Sequence, residues 1–181
     1  MRTHSTLVVA ALAAVACRPG PSPAVDSVGS SPVAVARDGT AGKSADSLLL
    51  ERIAGFSRTP GYRVRVTRDG GVAFAWLAPG DSARRASATI PPDSAAALLD
   101  AAPRAGVGTT LPESIRDHPD LCGPMATDHG TAVVTVFYQG GGRARVSDYL
   151  GCRDAVPALR VFEARVDSVA GTARWTSGGY R

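Results

Sequence analysis

Lysine and aromatic residues are scarce in this chain of 181 residues. Lys43 is the only lysine among 20 lysine and arginine residues, and aromatic side chains make up 6% of the sequence. A nucleic-acid-binding surface needs a clustered basic face with aromatic platforms for stacking. The formal net charge is +4. Alanine, glycine, proline and arginine are all abundant together, so we attribute the excess of arginine to the composition of the genome. The sequence therefore predicts no nucleic-acid partner.

The short motifs of common catalytic and metal sites are also missing. The sequence contains no Gly-x-Ser-x-Gly elbow, and no Cys-x-x-Cys or paired-His unit that would preorganise two zinc ligands. Cys122, His129 and Cys152, with Asp128 or Asp148 as the fourth ligand, form a chemically conceivable zinc set, but their spacing argues against it. The sequence therefore predicts neither a metal nor a cofactor, and it favours a protein that is not an enzyme.

The longest apolar run is short and lies near the N-terminus. Residues 7–16 follow the positively charged Arg2 and end at Cys17. This run is too short for the roughly 20 residues that span a bilayer, whereas a positive head, a short apolar stretch and small residues before the cut define an export signal. The residues before Cys17 resemble the bacterial lipobox. We therefore predict that residues 1–17 are a lipoprotein signal peptide with lipid attachment at Cys17, and ordinary cleavage after an alanine is the alternative.

Two segments follow the predicted signal. Residues 18–46 are rich in proline, glycine, serine and alanine and contain no leucine or aromatic residue, so they predict a disordered tether. Residues 47–181 are about the size of one ordinary domain. Arg18 after the lipidated cysteine, instead of aspartate, favours the outer membrane. The predicted location is therefore the bacterial cell envelope, facing the periplasm, with the lipid anchor as the membrane contact.

Alternation of apolar and polar residues predicts two antiparallel hairpins. The first pairs 61–67 with 72–76 through Asp69-Gly70, and the second pairs 131–139 with 143–149 across three glycines. A strand at 86–90 extends the first hairpin, and helices are predicted over 47–53, 91–101 and 157–170. The predicted fold class is α+β, with a single antiparallel sheet of four or five strands and helices packed on one face.

Cys122 and Cys152 remain after Cys17 is assigned to lipid, and they form an even pair in a compartment that permits disulfides. One precedes and the other follows the second hairpin, so strand pairing would bring them together. We predict a Cys122–Cys152 disulfide worth about 3–4 kcal/mol in the chain-entropy model, with two free thiols as the alternative. Trp175, just beyond the last helix, is predicted to cover the core instead of stacking on a sugar.

Four arginines, Arg63, Arg65, Arg143 and Arg145, occupy outward positions of the two hairpins. On one face of a sheet they would form a platform for an anionic partner such as a phosphate-bearing envelope polymer. They would equally suit an ordinary solvated face, because antiparallel sheets usually turn polar residues to water. The sequence favours the solvated face, since no pattern marks it as concave or aromatic.

Several short motifs occur in a fixed order within residues 58–176. They are Asp69-Gly70 in the first turn, Thr127-Asp128 before the second hairpin, Asp148-Tyr149 at its end, and Arg174-Trp175 after the last helix. In this order they resemble the uncharacterised bacterial envelope domain catalogued with the number 6438. The resemblance implies a compact α+β module of exported proteins without an assigned activity, and it brings no catalytic residue.

The sequence favours an envelope lipoprotein whose domain binds or supports a partner without catalysis, and it leaves open whether that partner is a protein or an envelope polymer. The alternative is a carbohydrate-active hydrolase in which Asp128 and Asp148 flank a glycosidic bond, provided that the strand ends lie together. The non-catalytic roles of these residues are turn capping for Asp128 and an ordinary strand-end carboxylate for Asp148.

Overall fold

The structure is a computed structural model that describes residues 42–57, 60–77, 84–154 and 156–178. The predicted signal peptide, Cys17 and most of the predicted tether lie outside these residues. Among the helices of the described ranges, none is both long enough and apolar enough to cross a membrane. The described residues form an antiparallel sheet with helices packed on it, which confirms the α+β class.

Six strands build the sheet within the described residues: β1 Ala45–Ile53, β2 Gly61–Thr67, β3 Gly71–Leu77, β4 Arg85–Thr89, β5 Thr131–Tyr138 and β6 Arg143–Tyr149. Their order across the sheet is β4-β3-β2-β1-β5-β6, and every neighbouring pair is antiparallel. Both predicted hairpins and the short strand β4 are confirmed. The predicted number of four or five strands is too low, because the sequence does not predict β1.

Strand β1 shows that the predicted helix over 47–53 is wrong. Leu48 and Leu50 are fully buried, and β1 pairs along its length with β2 on one side and β5 on the other. Leucine, glutamate and arginine are good helix formers, and a short apolar run does not separate a buried strand from a helix by its period. Pairing with a neighbouring strand on each side makes this segment a strand and not a helix. Because β1 begins at Ala45, the last two residues of the predicted tether belong to the sheet.

Two longer helices pack on the sheet, and both are confirmed predictions. These are α1 Pro92–Leu99 and α3 Pro157–Ala170, accompanied by a 3-10 turn at Ala102–Ala105 and by the four-residue helices α2 Pro119–Cys122 and α4 Ala173–Thr176. α1 has proline in its first turn, where the missing N–H carries no penalty. α3 ends at Gly171, whose φ of 65° is a left-handed conformation that glycine adopts without strain.

One hydrophobic core lies between the sheet and the helices. Every second residue of the central strands faces it, and it includes Leu48, Leu50, Val64, Val66, Val134 and Val136 from the sheet with Leu98, Leu159 and Val166 from α1 and α3. The ring centroids of Trp175 and Phe74 are 4.9 Å apart, so the predicted packing of Trp175 over the core is confirmed. The helices therefore cover one face of the sheet, which we call the covered face, and the opposite face is called the open face.

The predicted disulfide between Cys122 and Cys152 is confirmed, with their Cα atoms 4.6 Å apart. Cys122 ends α2, and Cys152 follows β6. The connection before α2 is also attached to the outer edge of β6: the Ile115 N–H donates to the Ser147 carbonyl oxygen, and the Ser147 N–H donates to the Glu113 carbonyl oxygen. The disulfide and this backbone pairing hold the long connection against the sheet edge.

Candidate functional site

The open face of the sheet carries five arginines. They are Arg85 on β4, Arg63 and Arg65 on β2, and Arg143 and Arg145 on β6. The strand registers place all five on the same face, including the four that the sequence predicts. Glu51 on β1 is the only carboxylate among the strand residues of this face. The open face is therefore strongly positive.

Strand register also sets the spacing of these charges. Arg65 lies in one cross-strand row with Leu49, Thr135 and Arg145, which puts the Cα atoms of the two arginines three strand spacings, or about 14 Å, apart. Arg63 and Arg85 lie in the next row with Ala75 between them, two strand spacings, or about 10 Å, apart. The charges therefore form a spread-out array.

A shallow cavity of about 590 Å³ lies over β2, β3 and β4 on the open face. Arg63, Arg65 and Arg85 line it, together with the small side chains of Ala73 and Ala75. The cavity exists because β3 places these two alanines between strands that carry long arginines. The sequence predicts no concavity on this face, although the small alanines of β3 are a signal for one.

The guanidinium group of Arg65 is held in place by two neighbours. One of its amino groups donates to the Ser47 hydroxyl at 2.8 Å, and its Cζ atom lies 4.8 Å from the centroid of the Phe137 ring. Within the described residues, no carboxylate forms an ion pair with Arg63, Arg65 or Arg85. Glu51 lies opposite Arg63 in the strand register but forms no ion pair with it, so the cations around the cavity stay unpaired among the described residues.

The covered face holds a different group of charged residues, which we call the α3 cluster. It consists of Arg52 on β1, Tyr62 on β2, Asp148 on β6, and Arg160, Glu163 and Asp167 on α3. The register places Tyr62, Arg52 and Asp148 in one cross-strand row, with Ala132 of β5 between the last two. The cluster therefore joins α3 to strands on both sides of β1.

Arg52 is the central cation of the α3 cluster. Its Nη1 atom donates to Glu163 Oε2 at 2.8 Å, and its Nη2 atom donates to Asp167 Oδ2 at 2.9 Å. Asp167 Oδ1 also accepts from the Tyr62 hydroxyl at 2.8 Å and from the Thr172 hydroxyl at 3.1 Å. Burial, and then the charge of Asp167, raises the pKa of Tyr62 to about 12, so its hydroxyl stays a donor at any physiological pH.

The second cation, Arg160, pairs with Asp148. Its Nε atom donates to Asp148 Oδ2 at 3.0 Å, and its Nη2 atom donates to the Cys152 carbonyl oxygen at 3.1 Å. Asp148 and Glu163 are each only 1% exposed, and one oxygen of each has no hydrogen-bond partner. Burial raises the pKa of Glu163 to about 7, and the charge of Asp148 adds to this effect while Arg52 opposes it.

Asp128 and Asp148, the carboxylates of the alternative hydrolase hypothesis, have very different surroundings. Asp128 is exposed in a turn with φ of 66°, and its carbonyl oxygen accepts from the Phe56 N–H. Asp148 is buried under α3 and paired with Arg160. A glycosidic bond cannot lie between an exposed turn and a buried ion pair, so this geometry gives the hydrolase hypothesis no support.

Cys122 and Cys152 cannot bind zinc, because they form a disulfide with each other and offer no thiolates. His129 lies in an exposed turn, and its backbone N–H donates to the Tyr149 hydroxyl at 3.3 Å. The described part of the chain contains no group of three or more histidine, cysteine, aspartate or glutamate side chains arranged to hold a metal ion.

The remaining motif positions have structural contacts. Gly70 has φ of 95° in the first turn, where the Asp69 carboxylate accepts from the Thr67 hydroxyl. The Thr127 hydroxyl donates to the Asp128 carboxylate, and the Tyr149 hydroxyl donates to the Ala126 carbonyl oxygen. Arg174 Nε donates to the Gly171 carbonyl oxygen at the end of α3, and its Cζ lies 4.9 Å from the centroid of the adjacent Trp175 ring.

Sequence reasoning missed most of the α3 cluster. Glu163 offered one signal, because it follows Leu159 by four residues and Phe162 by one, which places a carboxylate beside the apolar stripe of α3. Arg52 offers no such signal, because a helix over 47–53 does not place it in a strand row with Tyr62 and Asp148. No protein-family model matches the chain, and no curated protein matches it either. The resemblance to the envelope domain therefore stays a prediction.

Proposed function

We propose that this protein is a non-catalytic, lipid-anchored module of the bacterial envelope whose open sheet face binds a phosphate-bearing anionic polymer. The observation that carries the proposal is the cavity lined by Arg63, Arg65 and Arg85. Arginine suits phosphate because its planar guanidinium group donates two parallel hydrogen bonds to it. Attachment at Cys17 stays a prediction, since this residue lies outside the described ranges.

The cavity distinguishes a ligand-binding face from an ordinary solvated face. A solvated arginine face needs no depression, whereas a ligand site is concave and combines a few placed polar groups with apolar floor. Here the floor comes from Leu49, Ala73 and Ala75, and the polar groups are the three arginines. Ser47 and Phe137 hold the guanidinium group of Arg65 on the β5 side of the cavity before any ligand arrives, which lowers the entropy lost when this group binds an anion.

The spread of the charges favours a polymer over a single small anion. The five arginines come from three strands of the open face, with the Cα atoms of Arg65 and Arg145 about 14 Å apart along one row. A chain of phosphates could contact the cavity and the β6 arginines together. Multiple weak contacts of this kind add through effective concentration.

The test is binding of the full-length protein to long-chain inorganic polyphosphate, with polyglutamate as a carboxylate comparison. The triple variant Arg63→Gln, Arg65→Gln and Arg85→Gln should lose about tenfold in affinity, since about 0.5 kcal/mol per exposed ion pair sums to about 1.5 kcal/mol. The slope of log affinity against log salt should also fall by about 2, because each phosphate that an arginine neutralises adds about 0.7 to that slope.

A matched control removes the same total charge elsewhere. Arg104, Arg153 and Arg165 are exposed and contribute nothing to the open face, so their triple glutamine variant should bind polyphosphate like the wild type. Equal losses in the two triple variants would show that only net charge matters and would contradict the proposed site. Tighter binding of polyglutamate than of polyphosphate would contradict the assignment to phosphate.

A further inference from the structure

We propose that Glu163 keeps a proton in the folded protein because it is buried beside the Asp148 carboxylate, and that loss of this proton weakens the attachment of α3 to the sheet, so that the α3 cluster acts as a pH-sensitive latch. The inference is independent of polymer binding, since it concerns the opposite face of the sheet. It rests on the charge count, the unpartnered oxygens and the position of the pair between two elements.

Three carboxylates and two guanidinium groups face one another in the α3 cluster. The carboxylates are Asp148 of β6 with Glu163 and Asp167 of α3, the guanidinium groups are Arg52 of β1 and Arg160 of α3, and Tyr62 of β2 adds a neutral phenol. β5 contributes the uncharged Ala132 to the row. With every acid ionised, the cluster has one more negative than positive charge, and binding a single proton balances it.

The hydrogen bonds leave one oxygen of each buried carboxylate free for a proton. The guanidinium groups bond Glu163 Oε2, Asp148 Oδ2 and Asp167 Oδ2. Asp148 Oδ1 and Glu163 Oε1 are buried without a donor. An ionised carboxylate only accepts hydrogen bonds, whereas a protonated carboxyl group supplies one O–H donor. A proton on the free oxygen of Glu163 therefore removes one of the negative charges that are buried here without a donor.

The raised pKa of Glu163 agrees with the excess of one negative charge in the α3 cluster. Burial penalises the ionised form of Glu163, and the neighbouring Asp148 charge adds to the penalty, so the pKa of Glu163 rises to about 7 despite the contact with Arg52. Because the folded-state pKa lies above the unfolded value, the folded protein binds the proton more tightly. Stability from this group is therefore present below the unfolded pKa of about 4.5 and is lost as pH rises to about 7.

Proton loss acts on α3 in particular because the two unpartnered oxygens belong to different elements. Glu163 lies on α3, and Asp148 lies on β6. Two ionised carboxylates in a buried space repel each other, and this repulsion is relieved when the helix moves away from the strand. Below neutral pH the proton on Glu163 removes the repulsion, and the ion pairs of Arg52 with Asp167 and of Arg160 with Asp148 hold the helix.

The direct test follows the carboxyl carbon of Glu163 by NMR during a pH titration of the full-length protein. We expect a midpoint near neutrality in the wild type and a lower midpoint in Asp148→Asn, which removes the neighbouring charge while preserving shape. A Glu163 midpoint below about 5, close to its ordinary value, would overturn the proposal.

The second readout is the folding equilibrium constant from urea unfolding between pH 5 and pH 8. Relative to Glu163→Gln, which keeps a neutral donor at every pH, the wild type should lose on the order of 100-fold in this constant over the range. Glu113→Gln removes an exposed carboxylate and should follow the wild type. Parallel pH profiles for the wild type and Glu163→Gln would contradict the latch, and the NMR titration decides alone if Glu163→Gln does not fold.

Discussion

The open and covered faces of the sheet both carry charged side chains, but only the covered face neutralises its cations. On the open face, Arg63, Arg65 and Arg85 have no carboxylate partner among the described residues. On the covered face, Arg52 and Arg160 bind carboxylates at 2.8 to 3.0 Å. Water solvates an unpaired charge on the open face, whereas a buried charge without a partner is strongly unfavourable. Unpaired arginines are therefore available for a ligand, and paired ones hold the fold together.

Strand β1 contributes to both faces and makes the comparison direct. Arg52 and Leu50 face the helices, while Glu51 and Leu49 face the open side. Neighbouring residues of one strand thus enter either the α3 cluster or the open face. The two-residue period of a strand is the cause of this separation.

The largest expected contrast comes from the same substitution on the two faces. Arg52→Ala leaves Asp167 without its cation and Glu163 without its hydrogen-bond donor, so it should lower the free energy of unfolding by about 3–5 kcal/mol, because each hydrogen bond to a charged group contributes about 1.5–3 kcal/mol. Arg63→Ala removes an unpaired charge of the open face and should change it by less than about 0.5 kcal/mol. Urea unfolding at pH 6 measures both changes. Equal effects would contradict the conclusion that only the arginines of the covered face stabilise the fold.

A smaller contrast tests the hydrogen bonds of the covered face. Tyr62→Phe removes the donor to Asp167 and should lower the free energy of unfolding by about 1.5–2 kcal/mol, since hydrogen bonds to charged groups are the stronger ones. Tyr138→Phe is the matched control, because the Tyr138 hydroxyl has no hydrogen-bond partner among the described residues, and its effect should stay within about 0.5 kcal/mol. A neutral Tyr62→Phe variant would show that Asp167 does not depend on this donor.

The elements that could be predicted from the sequence are those that local patterns specify. The Asp69-Gly70 turn, the alternation in β2 and β6, and the apolar stripe of α3 each identify their element without knowledge of the rest of the chain. The Cys122–Cys152 bond followed from the hairpin between the two cysteines. β1 could not be predicted in this way, because its helix-forming residues become a strand only through pairing with β2 and β5.

For the candidate sites, too, local patterns predict some residues and long-range contacts determine the others. Alternation alone placed Arg63, Arg65, Arg143 and Arg145 on one face, but the cavity required the pairing of β3 with β2 and β4, which brings Arg85 across from Arg63. The α3 cluster depends on contacts between residues separated by more than 100 positions, such as Arg52 with Glu163. No local pattern encodes such a pair.

We expect an anionic polymer to bind the open face of the sheet and to leave the covered face unchanged. The most direct measurement is the change in backbone amide chemical shifts of the full-length protein when inorganic polyphosphate is added at pH 6. We expect the largest shifts in β2, β3 and β4 around Arg63, Arg65 and Arg85, smaller shifts around Arg143 and Arg145 of β6, and none in α3. Shifts concentrated in α3, or spread evenly over all exposed arginines, would contradict the account.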